Sequence, residues 1–142
     1  MRALLDVNVL IALLDVAHTS HVAAHQWFGQ HAANGWASCP ITQNGCIRIM
    51  SHPSYRNTRS VHEVMLHLRE ATKTNVHEFW PDDVSLLDDG VIDATRIHGP
   101  RQLSDVYLLA LAVAHHGILV TFDTSIALSA VRRATAAHIK VL

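Results

Sequence analysis

The sequence predicts an α/β fold of three layers, with a mostly parallel central sheet flanked by helices. Two observations carry that prediction. Short apolar runs alternate with helix-length segments from one end of the chain to the other, the pattern of strands joined by crossover helices. Apolar residues make up 49% of the sequence and charged residues only 16%, which suits strands buried on both faces. No linker, repeat or low-complexity stretch interrupts the 142 residues. A single domain, 1–142, with one core is therefore expected.

The elements follow in order. Arg2 to Leu5 reads as a short buried strand, and Asn8 to Leu14 as an apolar helix after it. Ser20 or His21 to Ala33 reads as an amphipathic helix stopped by Asn34-Gly35. Trp36 to Ser38 suits a short strand before Pro40, a good first-turn residue for the helix Ile41 to Met50. Ser60 to Thr72 is predicted as helix and Val76 to Trp80 as strand. The acidic stretch Asp82 to Ile97 is expected to be helical, ending near Gly99-Pro100. Asp105 to His116 is the clearest helix, and Gly117 offers a left-handed position to end it. Ile118 to Phe122 is the clearest strand, and Ile139 to Leu142 a short last one.

Composition narrows the function classes. A formal net charge of −1 gives no whole-molecule attraction for nucleic acid, so any steering must be local. Two cysteines, Cys39 and Cys46, make no disulfide framework and favour a reducing compartment. The longest apolar stretch, Val106 to Ala114, is far too short to span a bilayer. A soluble, cytoplasmic protein without a membrane partner is the expectation.

Asp6 closes the apolar run Ala3-Leu4-Leu5, Asp105 opens the pattern Val106 to Ala114, and Asp123 closes Ile118 to Phe122. A carboxylate beside so much apolar sequence is costly unless charge or hydrogen bonds meet it. The helix from Asp105 to His115 advances about 15 Å at ~1.5 Å per residue. The strand to Asp123 returns roughly 17 Å at ~3.3 Å per residue. If the first strand runs parallel to this one, Asp6 leaves at the same edge, where open α/β sheets bind ligands. Taken singly, Asp6 suits a helix cap, Asp105 a helix first turn and Asp123 a turn residue. Gathered together, like charges need a cation, and oxygen donors favour Mg²⁺ or Mn²⁺.

Four blocks of the chain then resemble a known family. Leu4 to Ile11, Cys39-Pro40-Ile41-Thr42-Gln43-Asn44-Gly45, Ser104 to Ala112 and Val120-Thr121-Phe122-Asp123 are similar, in order, to PIN domains. More narrowly they resemble the VapC toxins of bacterial toxin–antitoxin pairs. The resemblance implies a PIN-like fold and an endoribonuclease using one or two Mg²⁺ or Mn²⁺ ions. Its implied substrate is structured RNA such as tRNA or rRNA. It also implies a homodimer silenced by a VapB-type antitoxin. Asp6, Asp105 and Asp123 match the family's acidic, metal-binding positions, Asn8 a polar position beside the first, and Thr121 a frequent hydroxyl position. Gln43 stands where the family usually has a catalytic glutamate. Glutamine keeps the size and loses the charge, so weaker metal binding is expected. The alternative is an inactive PIN-fold module that binds RNA or antitoxin.

Arg48, Arg56, Arg59, Arg69 and Lys73 face only Glu63 and Glu70 in the same stretch. Arg48, Arg56 and Arg59 are candidate RNA-binding residues, the plainer reading being a solvated face. The acidic residues from Glu78 to Asp93 read as solvated surface. His18, His21 and His25 have ligand-like spacing but no accompanying carboxylate or cysteine, and read as surface or interface histidines. A phosphoacceptor domain would need paired acids after the first strand; Asp6 is followed by Val7-Asn8.

Overall fold

The computed structural model describes residues 1–142. Its strands are β1 (Ala3–Leu5), β2 (Trp36–Ser38), β3 (His77–Phe79), β4 (Ile118–Thr121) and β5 (Ile139–Val141). They form one sheet in the order β3-β2-β1-β4-β5, and every neighbouring pair is parallel. The helices are α1 (Val7–Leu14), α2 (His21–His31), α3 (Pro40–Met50), α4 (Val61–Thr72) and α5 (Leu103–Ala114). No helix is long and apolar enough to cross a membrane.

The alternation of side chains along each strand divides the core into two halves. Leu4, Ala37 and Leu119 face one way, against the buried stripe Val106 to Ala112 of α5. Ala3, Leu5, Trp36 and Val120 face the other way, against Val9 and Leu10 of α1, Cys46 and Met50 of α3, and Val64 and Leu68 of α4. Three layers result: the inner strands β1, β2 and β4 are buried on both faces, whereas the edge strands β3 and β5 are largely exposed and carry Glu78 and Lys140. Leu4, Leu5, Leu109, Leu111 and Leu119 are fully buried. Each such leucine contributes about 1.5–3 kcal/mol before chain entropy is counted.

Local chemistry sets most boundaries. Asp6 caps α1 by accepting from the Val7 N–H at 2.7 Å. Ser60 and Glu63 form a reciprocal capping box at the start of α4. Gly35, at φ 88°, ends the 3-10 turn that follows α2. Gly45 lets α1 and α3 touch, because a Cβ there would meet Val7 Cγ2 at 2.7 Å.

Two expectations are corrected. The stretch Asp82 to Ile97 is no α-helix: it is an irregular ribbon with a single 3-10 turn, Ala94–Arg96. Its apolar residues Val84, Leu86, Val91 and Ile97 pack on the α5 side of the core without helical spacing. Its aspartates engage local backbone instead of a helix: Asp88 accepts from the Gly90 N–H at 2.9 Å, and Asp93 from the Thr95 N–H at 3.1 Å. The second correction concerns the end of α5. The left-handed residue is His116, at φ 55°, not Gly117. Gly117 serves close packing, since a Cβ there would lie 2.6 Å from the Arg2 carbonyl oxygen and 2.7 Å from Trp80 Cη2.

Candidate metal centre and its cavity

The parallel pairing of β1 with β4 brings Leu5 beside Val120. Asp6 and Asp123 therefore leave the sheet at one carboxyl edge. The Asp6 N–H still donates to the Val120 carbonyl, at 2.9 Å. Asp105 reaches that edge from the first turn of α5, which opens at Leu103, two residues earlier than the apolar pattern suggested.

Asp6 is buried, 6% exposed. One of its oxygens accepts from Val7, and the other accepts from the Thr121 hydroxyl at 2.6 Å. Burial pushes its pKa up, the Thr121 and Val7 hydrogen bonds oppose this, and the Asp123 charge adds to the rise. Asp105 is half-buried, and its pKa is pushed up to about 6 by burial first and then by the charges of Asp6 and Asp123. A hydrogen bond between Asp105 and Asp123 also favours the proton on Asp105. Asp123 goes the other way. The Ser125 hydroxyl at 2.6 Å and N–H at 2.7 Å both donate to it, and these bonds hold its pKa down.

Asp6 thus caps a helix and Asp123 braces a turn, as their plainer readings required, while both also belong to one group of carboxylates. The group does not close into a set at metal-ligand spacing; repulsion between like charges opposes a tighter approach. Its donors are all oxygen, and burial and neighbouring charge disfavour the ionised form of two of its members, Asp6 and Asp105. That chemistry fits a small hard divalent cation, which Asp6, Asp105 and Asp123 could hold.

Asn8 and Thr121 stand together beside Asp6. The Asn8 amide nitrogen donates to Thr121 Oγ1 at 3.4 Å, and Asn8 Oδ1 accepts from the Phe122 N–H at 3.4 Å. Gln43 is placed differently. Its Nε2 donates to Ser38 Oγ at 2.9 Å, and Ser38 lies 2.8 Å from His77 Nε2. Gln43 lines a groove between α3 and α4 with Ile47, Met65 and Arg69.

Asp6 and Asp105, but not Asp123, line a cavity of about 490 Å³ together with Asn44, Arg48, Asp82 and Ser104, among others. Arg48 enters it one helical turn beyond Asn44. Arg56 lies elsewhere, in a pocket with Asp15, Tyr55 and Asn57. Arg59 is exposed, its N–H donating to the Met50 carbonyl at 3.1 Å. The basic residues are therefore spread out, with Arg48 the one beside the carboxylates.

Sequence reasoning passed over Asn44, Asp82 and Ser104. The spacing of Asn44 and Arg48 and the adjacency of Ser104 to Asp105 were available signals; Asp82 carried none. The histidines have the plain role expected of them. His21 Nδ1 lies 2.7 Å from the Ala12 carbonyl oxygen and His25 Nε2 lies 3.2 Å from that of Leu13, tying α2 to the end of α1.

Comparison with known proteins adds to this geometry. Residues 3–133 match the family model of the PIN domain. Ribonuclease VapC44 of Mycobacterium tuberculosis is 55% identical over 142 residues, covering 100% of both chains. Ribonuclease VapC39 of the same organism is 44% identical over 131 residues, 92% of this chain and 94% of that one. Among solved structures, VapBC2 from Rickettsia felis, bound to a DNA fragment from their promoter, matches with a TM-score of 0.52. That match has 16% identity and covers 87% of this chain and 89% of that chain.

Proposed function

This chain belongs to the PIN-domain family and, within it, to the VapC ribonucleases, and from that premise we propose that it is the toxin of a type II toxin–antitoxin pair. Its activity is endoribonuclease cleavage of phosphodiester bonds in structured RNA, tRNA or rRNA, dependent on Mg²⁺ or Mn²⁺. A VapB-type antitoxin silences it, and it works as a homodimer in the cytoplasm. The two cysteines, free and buried, are in keeping with a reducing compartment. The observation that carries the reading is the meeting of Asp6, Asp105 and Asp123 at one sheet edge, with Asp105 raised to about 6 by burial and by its two neighbours.

The chain's own residues have distinct tasks. Thr121 and the Val7 N–H hold Asp6 in one orientation. Asp105 and Asp123 supply carboxylate oxygens from α5 and from the end of β4. Asp6, Asp105 and Asp123 would hold Mg²⁺ or Mn²⁺, one ion or two, which would supply polarisation of the scissile phosphate and a lowered pKa for the attacking water. Arg48 and Asn44, in the same cavity, offer donors to phosphate oxygens of the RNA backbone. Arg56 and Arg59 extend contact along the strand at a distance from the carboxylates.

The test is cleavage of purified tRNA and rRNA by Asp6→Asn and Asp105→Asn. Each substitution is expected to lower the rate beyond the ~10–100-fold that outer partners of a metal ligand typically cost, with the circular-dichroism spectrum unchanged. Full activity in either variant would sink the reading. Chelation should stop cleavage and added Mn²⁺ restore it.

A binding module without turnover is the second reading, favoured by the neutral Gln43 and its hydrogen bond to Ser38. Gln43→Glu separates the two. Tighter Mn²⁺ binding and faster cleavage are expected; unchanged values would put position 43 outside the metal shell.

A further inference from the structure

We propose that the cavity at the far end of α1 is a phosphate subsite for the RNA, with Arg56 as its contact and Asp15 as the residue that positions it. The inference rests on the ribonuclease reading above and adds a second place where the strand is held. The cavity, about 550 Å³, lies between the α1–α2 connection and the loop after α3. Asp15, His18, Thr19, Tyr55, Arg56 and Asn57 line it, among others. It is built around a buried carboxylate: Asp15 is 4% exposed and caps the end of α1. Asp15 Oδ1 accepts from the Ala17 N–H at 3.0 Å and from Asn57 Nδ2 at 2.8 Å, and Oδ2 accepts from the Tyr55 hydroxyl. Both oxygens are thus engaged by protein donors, and the loop that carries Arg56 is tied on either side of it.

What the cavity offers a ligand is donors. Arg56 is exposed and enters none of the protein's ion pairs. His18 Nδ1 accepts from the Ser20 N–H at 3.0 Å, which leaves the neutral ring's proton on Nε2. An arginine on a pinned loop, with a second N–H donor in the same cavity, suits the oxygens of a phosphate. A path joins this cavity to the carboxylates. Asp6 caps the start of α1 and Asp15 its end, so about 13 Å of helix at ~1.5 Å per residue separates them. α1 and α3 each follow a strand of the parallel pair β1 and β2, and so run in the same direction. Asn44, Arg48 and His52, all exposed and each one helical turn's worth of sequence after the last, lead from the metal-edge cavity toward Arg56. No aspartate or glutamate occurs from Pro40 to Ser60. A phosphodiester strand leaving the carboxylates along α3 therefore meets donors and cations, and reaches Arg56 within a few nucleotides.

Binding of purified tRNA to the full chain in the presence of chelator, read by fluorescence anisotropy across a salt series, tests this, because phosphate contacts carry no sequence information. Arg56→Gln is expected to weaken binding about tenfold and to lower the slope of log Kd against log salt by about one. In cleavage assays with Mn²⁺, KM should rise and kcat should not change. Asp15→Asn and the milder Asn57→Ala should act in the same direction. Arg56→Gln combined with Asn57→Ala should bind no more weakly than Arg56→Gln alone, since the loop acts only through the arginine. Arg133→Gln is the control: Arg133 lines a different cavity, on the α5 side, and its loss should leave affinity and slope unchanged. If the parent binds and cleaves RNA while Arg56→Gln keeps the parental affinity and slope, the subsite is overturned and the ribonuclease reading stands. Effects of Arg56→Gln and Asn57→Ala that add in full would overturn the positioning role of Asp15. A parent chain that neither binds nor cleaves tRNA or rRNA would bring down the ribonuclease reading and the subsite with it.

Discussion

The Thr121 hydroxyl donates to Asp6 and accepts from the Asn8 amide and from the Asp123 N–H, at 2.6, 3.4 and 3.0 Å. Those three bonds use the full capacity of a hydroxyl, so one β-branched residue at the end of β4 orients two of the three aspartates. Position alone marked Asp6, Asp105 and Asp123, because a carboxylate next to an apolar run is visible in the sequence. The roles of Thr121 and Asn8 came only from family resemblance, since a polar side chain beside a strand end has no periodic signature. Asp15 went unremarked for the same reason. It is 4% exposed and accepts from Tyr55, from Asn57 at 2.8 Å and from the Ala17 N–H at 3.0 Å. Burial raises its pKa, but the hydrogen bonds together outweigh burial and hold it below the ordinary 3.8. A depressed carboxyl stabilises the fold above its unfolded pKa, and that contribution is lost as pH falls through the folded value. Asp15→Asn should therefore cost about 1.5–3 kcal/mol near neutrality. In urea titrations the gap from the parent protein should narrow below about pH 4; a gap that does not change with pH would count against this account.

At the scale of elements, the turn from α5 into β4 was located from sequence but its parts were exchanged. His116 adopts the left-handed conformation, while Gly117 admits the Arg2 carbonyl and the Trp80 ring. A glycine after a helix reads equally as a turn former or as a gap for a neighbour, and only the packed neighbour decides. The two roles predict opposite responses. Gly117→Ala should destabilise by about 1–3 kcal/mol, because backbone and ring must shift. His116→Gly should be neutral or stabilise by up to about 1 kcal/mol, because it relieves a left-handed L-residue. Denaturant midpoints of the two variants check the assignment, and the reverse order would return the left-handed role to Gly117. The ribbon from Asp82 to Ile97 failed as a predicted helix for a related reason. Acid-rich composition resembles a solvated helix face, yet apolar residues at 84, 86, 91 and 97 do not share one helical side. Tertiary contact with α5 shaped that segment, and the same contact brought Asp82 into the cavity.

For the whole molecule, the carboxyl edge gathers acidic groups that repel, and the rest of the fold sustains them there. If a divalent cation binds the native state alone, stability should rise with its concentration, by about 2.7 kcal/mol at one hundred times the dissociation constant. Thermal melts with and without Mn²⁺ should show that rise in the parent chain. Asp105→Asn should melt higher than the parent in metal-free buffer, since one repelling charge is gone, and should gain little from Mn²⁺. A parent midpoint indifferent to Mn²⁺ would contradict the metal reading at this scale. The strands, the five helices and the common sheet edge of the aspartates were legible in the sequence by itself. Hydrophobic periodicity is a local property, and parallel strands joined by helices leave few ways to connect them. Tertiary structure alone decided that Asp82 shares a cavity with Asp6 and Asp105, that Gln43 turns to Ser38, and that only Arg48 of the candidate arginines joins them. Those outcomes depend on which side chains pack between distant segments, and burial and hydrogen bonding across the fold set them, beyond the reach of any local pattern.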